Sequence, residues 1–99
     1  MAQYPIVARA GGTASVLNII AKTVIKATPG TVWSVVMNTA NSVAGGVYDV
    51  ATTGGTAAAN LIKAIPTATT GEIMNGPFPS AVGIVVDPGT GGVASVSFN

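Results

Sequence analysis

From Val16 to Phe98 the chain alternates short runs of Val and Ile with clusters of Gly, Pro, Thr and Ala. Runs of that length, punctuated by turn residues roughly every eight to twelve positions, predict short strands packed as a sandwich or barrel. The clearest alternation is Thr31–Thr39, where Trp33, Val35 and Met37 point one way, and Ser34 and Asn38 point the other with Val32 and Val36. A period of two with one face apolar predicts a half-buried strand. Gly46–Ala51, Leu61–Ile65, Glu72–Asn75, Val82–Val86 and Val93–Phe98 predict further strands, with Pro66 ending the second of these. Val16–Ala27 fits two periods. Val16, Ile19, Ile20, Thr23 and Val24 make a helical stripe, but the spacing of four between Asn18, Lys22 and Lys26 is also a multiple of two. The β-branched Ile19, Ile20, Thr23, Val24 and Ile25 favour a strand.

The turn residues supply the connections. Thr28-Pro29-Gly30 predicts a tight turn, with Pro presetting one dihedral and Gly free to take a positive φ. It would close a hairpin between Lys22–Ala27 and Thr31–Asn38. Asn41–Ala44 and Thr52–Asn60 read as loops, the second with room for one helical turn at Gly55–Asn60. Asn75-Gly-Pro-Phe-Pro-Ser80 reads as a rigid loop, and Asp87-Pro-Gly-Thr-Gly-Gly92 as a turn before the closing strand. The expected architecture is all-β: an antiparallel β-sandwich, jelly-roll or Greek-key-like, of about seven short strands. Residues 16–99 would form this single domain, and residues 1–15 an extended N-terminal arm.

Composition narrows the chemistry. The 99 residues are 48% hydrophobic but only 7% charged, against roughly 25% charged in an ordinary globular domain. So few charges cannot cover the surface, which predicts apolar area held against other subunits or partners. The four cations, Arg9, Lys22, Lys26 and Lys63, are dispersed, and net charge is +1. With five aromatics (Tyr4, Trp33, Tyr48, Phe78 and Phe98) they form no basic stripe, so no nucleic-acid partner is expected. Without His or Cys there is no Ser-His-Asp triad, no imidazole or thiolate metal site and no disulfide. No lysine follows a glycine, so the P-loop is absent. Gly89-Thr90-Gly91-Gly92-Val93-Ala94 loosely matches a dinucleotide fingerprint, but the residues after it read as strand, and a hairpin turn is expected instead. The apolar stretch Val16–Ala27 is too short and too polar to span a bilayer. The first twelve residues lack a basic leader with an apolar core, so no secretory signal is expected. No catalytic residue, cofactor or metal is expected.

Three acids remain. Asp49, Glu72 and Asp87 are far apart in sequence. Asp87 is expected either to be solvated or to cap its Asp-Pro-Gly turn. Asp49 is expected at a strand end or on an outer face, bonding a neighbouring backbone or a subunit. Trp33 and Phe98 are expected in the core. Phe78, held stiffly between Pro77 and Pro79, suits either an interface anchor or a buried corner.

Several segments carry a resemblance. They are Val24-Ile-Lys-Ala-Thr-Pro-Gly-Thr31, Val47-Tyr-Asp-Val-Ala51, Leu61-Ile-Lys-Ala-Ile-Pro66, and the end of the chain from Asn75-Gly-Pro-Phe78 through Val82-Gly-Ile-Val-Val86 to Val93-Ala-Ser-Val-Ser-Phe98. In order and cadence the region from about residue 22 to 98 resembles small virion proteins of tailed bacteriophages, of the capsid decoration (cement) and head-fibre type. The resemblance implies a homotrimer on the outer surface of a phage head, assembled in the host cytoplasm and bracing major capsid protein subunits. The contacts expected are Tyr4, Ile6 and Val7 in the arm, with Tyr48, Asp49 and Phe78 in the domain. The alternative is a head-fibre or tail module that recognises a host glycan, with Tyr48 beside Asp49 or Phe78 beside Asn75 as the sugar contacts.

Overall fold

A computed structural model describes residues 14–99. Eight strands follow one another: β1 Ala14–Ile19, β2 Thr23–Lys26, β3 Gly30–Thr39, β4 Gly45–Tyr48, β5 Leu61–Ile65, β6 Gly71–Ser80, β7 Ile84–Asp87 and β8 Val93–Phe98. They form two antiparallel four-stranded sheets, ordered β1-β8-β3-β6 and β2-β7-β4-β5. The chain is thus a β-sandwich, as its strand and turn pattern predicts. Its topology has a simple logic. Strands whose numbers add to nine pair with each other, as one long hairpin would that closes at β4–β5. Rolling that hairpin up brings β8 beside β3 and β7 beside β4. This is the jelly roll.

Several local expectations change. The segment Val16–Ala27 is two strands in different sheets, separated at Ile20–Lys22, which raises the strand count to eight. Ala14 and Ser15, read from sequence as arm, open β1. The Lys22–Ala27 to Thr31–Asn38 hairpin does not form: β2 pairs with β7, and β3 with β6 and β8. Thr28-Pro29 is a corner between sheets. Three residues at about 3.3 Å each reach the roughly 10 Å between packed sheets as readily as they reverse within one. Gly30 keeps a negative φ, and its missing Cβ serves close approach instead, since a Cβ there would stand 2.5 Å from the Asn99 carbonyl oxygen. The turn at Asp87–Gly92 is likewise a corner from β7 to β8, not a hairpin.

The Asn75–Ser80 loop is instead the second half of β6, in register with β3 at Phe78↔Val32 and Pro79↔Thr31. Two prolines fit because β6 is an edge strand. Pro77 and Pro79 lie two apart, so their missing donors fall on the same side, the open edge.

The core lies between the sheets. Val32, Val35, Met37, Ala94 and Val96 from one sheet meet Val47, Ile65, Ile84 and Val86 from the other, with Ile19 at the β1 edge. A bulge between Val32 and Ser34 shifts the register of β3 against both its neighbours. The bulge puts Val32 inside in phase with Val35 and Met37, and Trp33, expected in the core, becomes the extra, half-buried residue. Phe98 does pack against the core. At one end of the roll the buried Asn41 joins three connections. Its Nδ2 donates to the Pro88 carbonyl at 3.1 Å, its own carbonyl accepts from Ala68 N–H at 2.9 Å, and Ser42 N–H donates to the Thr90 carbonyl at 2.8 Å.

Candidate functional site

At the opposite end sits Asp49, immediately after β4. Its carboxylate accepts three backbone N–H groups of the β6–β7 corner: Ala81 on Oδ2 at 3.0 Å, and Val82 and Gly83 on Oδ1 at 2.8 and 3.2 Å. Burial on its own would push this carboxyl up, but the three N–H donors outweigh it and hold the group below its ordinary value. The corner is pressed down hard, since a Cβ on Gly83 would lie 2.7 Å from the carbonyl oxygens of both Lys26 and Val50. The result is a rigid tip that presents Val82, half exposed, to solvent. Asp49 is therefore at a strand end bonding neighbouring backbone, as its sequence position predicts. Asp87 likewise caps its own turn by accepting Gly89 N–H at 2.9 Å.

Tyr48 lies on the outer face of the second sheet. A Cβ on Gly46 would meet its ring at 3.1 Å and Leu61 Cδ1 at 2.8 Å, so the glycine makes room for both side chains. The register sets Val24, Val85, Tyr48 and Leu61 in one row across the four strands. Val85 is fully buried although it faces away from the inter-sheet core. The β4–β5 loop, which carries two 3₁₀ turns at Thr53–Gly55 and Ala58–Asn60, runs back toward β2 and is tied there by Lys22 Nζ donating to Thr56 Oγ1 at 2.9 Å. At the centre of this outer face Val85 is buried, while Val24 and Leu61 at the ends of its row are exposed.

The outer face of the first sheet is built differently. Ser15, Ser97, Ser34 and Asn75 form one row across all four strands. In the next, Ser95, Val36 and Glu72 follow Leu17, which stands at a bulge in β1. Asn18 takes a positive φ of 57° inside that bulge, a conformation that Asn tolerates better than most residues. It swings Leu17 outward while Val16 and Ile19 still face the core. Leu17 is 69% exposed and Ile20 65%. Trp33 also interrupts this sheet, and its buried Nε1 has no hydrogen-bond partner among the described residues.

Large apolar side chains are therefore exposed on both rims of the sandwich. Leu17, Ile20 and Val24 stand along the β1–β2 rim, and Phe78 and Leu61 along the β5–β6 rim. Phe78 pairs with Val32 on the core side of its sheet but sits on the edge strand, and remains 43% exposed. It is an edge residue rather than a buried corner.

Of the contacts predicted from sequence, the structure brings Asp49 to the corner that follows Phe78, while Tyr48 lies on the other sheet. Tyr4, Ile6 and Val7 fall outside the described residues. Sequence reasoning missed Leu17, Ile20 and Val82. The available signal for the first two was Asn18, a residue prone to left-handed backbone in the middle of an apolar run. Among the described residues no three acidic side chains gather as metal ligands, and no helix is long and apolar enough to cross a membrane. No protein family, curated protein or solved structure matches this chain.

Proposed function

We propose that this chain is a non-enzymatic structural protein of a phage virion, decorating the outside of the head and tying neighbouring major capsid subunits together. The observation that carries the reading is the pair of apolar rims on a rigid body. Ile20 and Val24 stand on one rim, and Phe78 and Leu61 on the opposite one. A body with contact points on opposite sides bridges two neighbours. Opening the shell then requires breaking both contacts, which stabilises the closed state by mass action. The jelly roll supports this by analogy, being a frequent scaffold of capsid domains. The resemblance to decoration proteins points the same way. Of the two sugar-contact pairs in the glycan alternative, Tyr48 beside Asp49 is the less free, because the Asp49 oxygens already accept three backbone donors.

The test is reconstitution. Purified chain added to heads that lack it should bind and raise their opening temperature. Phe78→Ser should lower occupancy about tenfold without unfolding the domain, because an interface aromatic contributes on the order of 1–2 kcal/mol while this one is not sealed in the core. Unchanged opening temperature at full occupancy, or no binding at all, would count against decoration.

A further inference from the structure

We infer that the outer face of the β1-β8-β3-β6 sheet is the surface on which copies of this chain assemble, and that its occupant is the N-terminal arm, Met1–Thr13, of a neighbouring copy. The inference concerns self-association and stands independently of the virion reading.

Four observations carry it. First, the two outer faces are unequal. On the other sheet the centre of the outer face, Val85, is fully buried within the chain. This sheet instead bears the most exposed large apolar residue of the described chain, Leu17, beside a field of Ser34, Ser95, Ser97 and Val36. Second, the area is too small for a rigid-body contact. Strands about 4.8 Å apart, six residues long in β1 and β8 and ten in β3 and β6, offer roughly 500 Å², short of the ~800 Å² that each partner buries in a stable interface. An extended segment laid across the face supplies additional area. Third, the arm has the length and the origin. Thirteen residues extend to about 43 Å, more than twice the width of the sheet. They precede Ala14, which pairs with Phe98 at the end of β1 remote from Ile20. Fourth, the chemistry is complementary. The arm carries Tyr4, Ile6 and Val7 and a single charged side chain, Arg9. The face offers apolar Leu17 at one edge and one charged side chain, Glu72, at the other. Docking with Ile6 and Val7 against β1 sets Arg9 toward Glu72.

Cross-linking tests this directly, because the natural chain has no cysteine to interfere. Full-length chain carrying only Ile6→Cys is mixed with full-length chain carrying only Leu17→Cys and oxidised. The expected product is a disulfide-linked pair of unlike copies. A cross-link that forms only inside a chain carrying both substitutions would show that the arm folds back on its own sheet, and would overturn the inference. Sedimentation adds a second arm. The full chain should be oligomeric, and Glu72→Lys should raise its dissociation constant about tenfold, with Arg9→Glu in the same chain restoring it. A monomeric full chain, or association indifferent to both Glu72→Lys and Leu17→Ser, would equally overturn it. Leu17 and Glu72 are exposed, so these variants keep the fold, and an unchanged circular dichroism spectrum verifies that.

Discussion

Gly89→Ala is expected to abolish folding or to cost about 4 kcal/mol, at the severe end for a single substitution. Two effects add at this position. Gly89 has a φ of +84°, where an L side chain costs roughly 1–2 kcal/mol. A Cβ would also stand 2.0 Å from the Val43 carbonyl oxygen and 2.7 Å from Asn41 Nδ2. The β7–β8 corner would have to lift off the β3–β4 loop, breaking the junction that Asn41 organises. Gly91 is the control. Its φ is +76°, but a Cβ there meets nothing within 4 Å. Gly91→Ala should therefore show the dihedral cost alone, about 1 kcal/mol. Thermal unfolding separates them, at roughly 4–8 °C per kcal/mol for a domain of this size. Equal melting temperatures for the two variants would mean that close contact at Gly89 is not what holds this end of the roll.

Asp49→Ala should lower stability by about 2 kcal/mol. Hydrogen bonds to a charged group contribute roughly 1.5–3 kcal/mol each when buried. Ala81 and Val82 are exposed, however, so water replaces part of what their N–H groups lose. Gly83 is buried and its N–H bears the larger penalty. Asp49→Asn should recover only part of the loss, because its amide keeps one acceptor oxygen and turns a donor toward one of the N–H groups. The effect has a defined pH dependence. The folded-state carboxyl is held below its ordinary value, so its stabilisation is fully present above the unfolded value of about 3.9. It is lost as the pH falls through the lower, folded value. The stability gap between native chain and Asp49→Ala should thus be flat from neutral pH down to about 4 and shrink below it. A gap that widens on acidification would place the stabilisation elsewhere.

Much of the fold is legible in the sequence because alternation and turn chemistry are local. Leu61–Ile65 and Val93–Phe98 match their strands to the residue. What local pattern does not encode is which sheet a strand joins. A Pro-Gly corner reverses the chain equally well within a sheet or between two. Here six of the seven connections pass between sheets, and the one hairpin, β4–β5, carries the longest loop. Trp33 shows a second limit. Its place in the alternation is undone by a bulge that depends on both neighbouring strands, and neither neighbour is close in sequence. Asp49 could be read correctly, because a lone acid at the end of a strand has few uses other than capping backbone. The apolar rims could not, since exposure of Leu17 follows from one left-handed residue beside it and from its edge position in the roll.

Whether this chain decorates a head through opposed apolar rims, as proposed, is decided by a cryo-EM map of the particle that carries it. Jelly-roll densities are expected at every equivalent position on the outer surface of the head. Each should contact two major capsid subunits, with the Ile20–Val24 and Leu61–Phe78 rims at those contacts. Density confined to a tail tip or a single vertex, or a head surface without this domain, would contradict it.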